Sequence, residues 1–235
     1  MAKVLLLSGF VFFVGLFFWI AAQKKRLTAH RAHLIDTYQF PESVSKKVKQ
    51  TYPHLSDEDV LHVLEGLRNY FHLINDAGKN TMVSMPSQAV DVAWHEFILD
   101  TKEYALFCDT VFKRFIHHTP AEAMQSQTVA QDAIKRVWRL ACARENISIS
   151  SPMSLPILFA MDAKLDIKDG FNYSLDCKPE LDKQKSDGSV VVIPYCASHI
   201  GGDDGHASAG TSDSDGSGGA DGGSGCGGGG CGGGS

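Results

Sequence analysis

The chain has 235 residues, a formal net charge of −5 and 43% hydrophobic residues. That balance excludes a wholly disordered chain, and without a basic excess no nucleic-acid partner is expected. Cys108, Cys142, Cys177 and Cys196 lie far apart, unlike a disulfide-stapled miniprotein, and this spacing suits a reducing compartment.

The first element is apolar. After a short flank, residues 1–3, residues 4–22 carry no charge. As a helix they would extend roughly 28 Å, close to a bilayer's hydrocarbon thickness. The run exceeds a signal peptide's apolar region and predicts a single transmembrane helix with the lipid bilayer as its partner. Only Lys3 precedes it, whereas Lys24, Lys25, Arg26 and Arg31 follow within a basic juxtamembrane segment, residues 23–40. The positive-inside rule then puts the C-terminal domain in the cytoplasm, on the inner side of the cell membrane.

Residues 41–180 read as a helical domain. A short helix starts at Pro41, bears Val44 and Val48, and ends near Pro53. Ser56 and Asp59 resemble a capping box ahead of Val60, Leu61, Val63, Leu64, Leu67, Phe71 and Ile74, which recur at helical spacing until Gly78. Pro86 and Ser87 open a helix with Val90, Trp94, Phe97 and Ile98; Asp100 caps the next, with Tyr104, Phe107, Cys108, Val111 and Phe115. Thr119, Pro120 and Glu122 form a third start signal, before Ile134, Val137, Trp138, Ala141 and Cys142. Leu155 to Leu165 is a last short helix. Within it and beyond, Asp162, Asp166 and Asp169 lack calcium-loop spacing and read as a solvated turn. Residues 181–199 form a connector in which Val190 to Ile193 is a brief extended segment.

No alternation of strands and helices is visible. The expected fold is all-α: one N-terminal transmembrane helix, a compact bundle of about six helices, and a disordered Gly-rich C-terminal tail. The tail, residues 200–235, is Gly, Ser and Asp and contains Cys226 and Cys231. Such a composition buries too little to offset its ordering entropy.

Scarce residue types crowd the middle of the chain. His95, Cys108, His117 and His118 are candidate metal ligands, with Asp91 or Glu96 as a fourth or a supporting group. Zinc accepts such a mixture of nitrogen, sulfur and oxygen donors. The competing reading makes Trp94, Tyr104 and Cys108 core, gives His95 one buried hydrogen bond, and lets His117 and His118 finish a helix. A Cys108–His pair could form a thiolate nucleophile and base, but Cys108 lies on an apolar face. No phosphate loop, serine elbow or His-Glu-x-x-His motif occurs, so nothing marks an enzyme. His62 and His72 sit on or beside an apolar stripe and read as core or boundary residues.

Asp91, Trp94, His95, Leu99, Tyr104, Cys108 and the Phe112-x-Arg114-x-Ile116 step resemble the core motif of the glycine-rich domain-containing protein family. His117, His118 and Pro120, the Leu155-to-Phe159 segment and the Cys/Gly-rich end are similar to its bacterial members. The resemblance covers roughly residues 40–180 and implies no defined reaction. The two functional classes that stand are a membrane-tethered interaction module with a protein partner, and a metal-dependent protein or enzyme built on His95 and Cys108.

Overall fold

The computed structural model describes residues 2–79, 81–118, 127–175, 195–197 and 200, with side chains from Phe13 onward apart from residues 127–131 and 195. Thr119, Pro120, Glu122, the Val190–Ile193 segment and the tail with Cys226 and Cys231 lie outside the described residues. The chain divides into a unit of Met1–Gly202 and one of Asp203–Ser235; the described residues all belong to the first.

Seven helices are present among the described residues: α1 (Ala2–Thr37), α2 (Glu42–Thr51), α3 (Asp57–Ala77), α4 (Gln88–Leu99), α5 (Thr101–Phe112), α6 (Gln127–Glu145) and α7 (Ile157–Lys164). The described residues form a mostly helical body, as expected. The punctuation acts as read. Ser56 and Asp59 exchange both hydrogen bonds of a capping box at the start of α3. Ser87 caps α4 through Val90 N–H, and Asp100 accepts from Glu103 N–H to start α5. One parallel pair, β1 (Tyr173–Ser174) with β2 (Tyr195–Cys196), adds a small sheet that the helical reading lacks. It closes over a long crossover, so local sequence cannot signal it.

α1 differs most from expectation. It runs without a break through the basic segment, where an anchor and a separate flank were expected. Its C-terminal half is tied to the body. Asn75 donates to the Thr28 carbonyl at 3.0 Å, Arg31 donates to the Phe112 carbonyl at 3.2 Å, and Arg68 donates to the Ile35 carbonyl. Ile35 belongs to the core. The N-terminal half is unlike this. Phe13, Phe17, Phe18, Trp19 and Ile20 are all exposed, on every side of the helix. Where side chains are described, the apolar run from Phe13 to Ala22 is ten residues, ended by Gln23 and Lys24. Among the described residues no helix is long and apolar enough to cross a membrane.

The core sits where α3 and α4 meet α2, α5, α6 and α7. Phe71, Phe97, Phe107 and Phe112 form one aromatic cluster, with Phe71 and Phe107 centroids 4.7 Å apart. Gly66 of α3 makes the α3–α4–α7 contact possible. A Cβ there would meet Val90 Cγ2 at 2.8 Å and Met161 Cε at 2.9 Å. Leu61 and Phe115, read as stripe positions, are exposed instead.

Asp162 is buried and not part of a solvated turn. It accepts from Ser87 Oγ at 2.6 Å, Gln88 N–H at 2.7 Å, Ala89 N–H at 3.2 Å and Phe171 N–H at 2.9 Å. The carboxylate thus holds the first turn of α4, where unsatisfied N–H groups and the helix dipole favour a negative charge. A Cβ on Gly170 would lie 2.6 Å from Asp162 Cβ, so glycine lets the following loop close over it.

Cys196 is disulfide-bonded, whereas Cys108 and Cys142 are free and buried.

Candidate metal centre

Asp91 and His95 are one turn apart on α4, an i,i+4 pair, so their side chains share a face. Trp94, one residue before His95, points about 100° around the helix into the core and is buried. Its indole N–H donates to Tyr104 Oη of α5 at 3.2 Å. Tyr104 Oη in turn donates to the Ile116 carbonyl at 2.6 Å. This buried chain fixes the backbone two residues before His118, which leads back over α4. Lys113, at φ 54°, makes the left-handed turn that releases the chain from α5.

The result is a convergence of three groups. Asp91 Oδ2 lies 3.1 Å from His95 Nδ1, and Asp91 Oδ1 lies 3.0 Å from His118 Nε2. The two imidazole rings are 4.3 Å apart, and the His118 ring packs edge-on against Trp94 at 4.5 Å. One ligand atom from each of Asp91, His95 and His118 falls within 4.8 Å of the other two. Without a metal, a ring N–H of each histidine can donate to the carboxylate. A metal held there would take those same nitrogens as ligands, with the protons on the outer ring nitrogens.

The four predicted ligands separate. His95 and His118 join the site. His117 is exposed and packs on Phe115, 4.9 Å between centroids. Cys108 is buried beside Tyr104 and the Ile116 carbonyl, and burial raises its pKa. It is neither a ligand of this cluster nor an activated nucleophile. Asp91, read from sequence as an alternative to Glu96, is the carboxylate that the two histidines share, and Glu96 is not in the cluster. The i,i+4 Asp-x-x-x-His spacing was the available signal. His118 could not be paired with it without the Tyr104 contact. Other histidines have other tasks: His72 of α3 is buried and bonded to Asp36 of α1 at 2.7 Å.

Two imidazoles and one carboxylate form a donor set that could hold a zinc or non-haem iron ion. Residues 30–200 match the UCP032817-like family, and the chain belongs to it. The match begins within the docked half of α1 and leaves the apolar half outside. No curated protein and no solved structure matches the chain.

Proposed function

We propose that the protein binds one divalent transition-metal ion through Asp91, His95 and His118. The observation that carries this is the mutual approach of the three ligand atoms within 4.8 Å. The hydrogen-bonded chain from Trp94 to Ile116 supports it, because holding ligands in place from behind raises metal affinity. Zinc suits the donor set, as does ferrous iron. The test is a cobalt or zinc titration of the full chain in detergent. One equivalent should bind, and His95→Ala, which alters a half-exposed position, should abolish binding while leaving the melting curve of the metal-free protein in place. Equal binding by His95→Ala would overturn the assignment.

A second reading concerns location. The exposed rings of Phe13, Phe17, Phe18 and Trp19 surround α1 on all sides. A helix apolar all round is covered by protein or by lipid. With the uncharged residues before it, 4–22 serves as a single-pass tether, and Lys24, Lys25 and Arg26 hold the body on the inner side. The Cys196 disulfide argues for the opposite, oxidising side. A C-terminal reporter active only outside the cytoplasm decides: silence supports the inner placement, and strong signal reverses it. Release by alkaline carbonate would remove the tether altogether. The Gly/Ser/Asp tail then serves as a spacer or docking segment for a protein partner. Likeness to the glycine-rich domain-containing proteins supports a helical body followed by such a tail.

A further inference from the structure

The metal reading leaves the ion short of ligands. Among the described residues only Asp91, His95 and His118 reach the cluster, whereas zinc takes at least four ligands and iron up to six. The surroundings of the three are uneven. The His118 side chain is 12% exposed and backed by Trp94; Asp91 is 19% exposed; His95 is 48% exposed. Protein therefore covers the His118 side and solvent reaches the His95 side. The charges are uneven as well. One carboxylate and two neutral imidazoles leave a divalent ion with a net charge of about +1 in a partly desolvated place.

We infer that the centre is an open one, whose solvent-side position takes an exogenous monoanionic oxygen or nitrogen donor directly on the metal. This rests on the metal reading and adds a binding function to it. A closed structural zinc site would show four protein ligands around the ion. Here, among the described residues, His118 is the last of the converging set, and the half-exposed side chain of His95 borders water. An anion arriving there completes the coordination shell and neutralises the residual charge. Water holds the position otherwise.

Cobalt-loaded full-length protein in detergent, titrated with azide, tests this. Binding should shift and intensify the visible cobalt bands with a saturable isotherm. The shift should vanish in His95→Ala, which leaves no cobalt at the site. If cobalt binds in a His95-dependent way and its bands stay unchanged at large azide excess, the open-centre inference fails while the metal reading stands. If no cobalt binds at all, both fail. Longitudinal relaxation of water protons by the manganese-loaded protein gives a second readout. Enhancement above that of a closed site supports an exchangeable water, and no enhancement with manganese bound overturns it.

Discussion

Tyr104→Phe isolates the link between core and site. The substitution keeps the ring, which packs against Phe97 at 5.2 Å, and opens no large cavity. It deletes one oxygen that serves two partners: the Trp94 indole N–H at 3.2 Å and the Ile116 carbonyl at 2.6 Å. Both partners are buried. A buried group stripped of its partner costs about 1–3 kcal/mol. The Cys108 thiol beside Ile116 can partly replace the lost donor, so the expected destabilisation is about 2–4 kcal/mol. For a body of this size that lowers Tm by about 5–10 °C. The same change loosens the segment that delivers His118, and loss of such a supporting contact weakens metal affinity about 10–100-fold. Differential scanning calorimetry of the metal-free chain and a competition titration with zinc read the two effects separately. A loss under about 0.5 kcal/mol with unchanged zinc affinity would refute the claim that this chain of hydrogen bonds positions the site.

Three further outcomes follow from the fold. Asp162→Asn keeps the shape but offers one acceptor oxygen where four donors converge; a loss of about 2–4 kcal/mol in denaturant melts is expected, and near-neutral behaviour would mean that the α4 cap is not needed. His72 is held below its ordinary pKa, chiefly by burial and next by the Arg144 charge, against the pull of Asp36. The unfolded chain therefore protonates first as pH falls below about 6.5. His72 should thus contribute stability above that pH and lose it progressively down to the folded pKa. His72→Gln should flatten the slope of Tm between about pH 7 and 5, and parallel slopes would contradict this. Burial also raises the Cys108 pKa and pushes the Cys142 thiol up to about 11. Neither should be alkylated by iodoacetamide in the native protein at pH 8, as read by peptide mass mapping, and rapid labelling of Cys108 would revive a thiol role.

Local signals carried most of the helical body. Ser56, Ser87 and Asp100 are side chains whose partners lie three residues away, so capping is visible in one short window. Trp94 and Tyr104 were legible as core because periodicity alone turns them inward. Contacts across the chain were not. The donors to Asp162 at Ser87, Gln88 and Ala89 stand 75, 74 and 73 residues from it, and in isolation its neighbours look like a polar turn. The site divides the same way. Asp91 and His95 share a face by helical arithmetic, whereas the choice of His118 over His117 depends on the register in which the post-α5 segment lies against α4. That register is set by Tyr104 and Ile116 and has no local trace.

The same register explains why catalytic-looking and packing residues are interleaved here. Along α4, Asp91 and His95 face outward and Trp94 faces inward, so one helix turn serves both the site and the core. The two sides are joined again through Tyr104, whose hydroxyl accepts a hydrogen bond from the Trp94 indole N–H and donates one to the Ile116 carbonyl. Asp91 is stable without a metal because two imidazoles sit at its two oxygens. A metal must displace those contacts and not merely fill a gap. Its affinity is then a difference between two sets of interactions around one carboxylate. Packing errors at Trp94 or Tyr104 should therefore weaken both sets together, since both need His118 in place. Changes at exposed His95 should weaken metal binding with little effect on the fold. That asymmetry is what separates a metal centre built on a packed frame from a histidine cluster that only pins a loop.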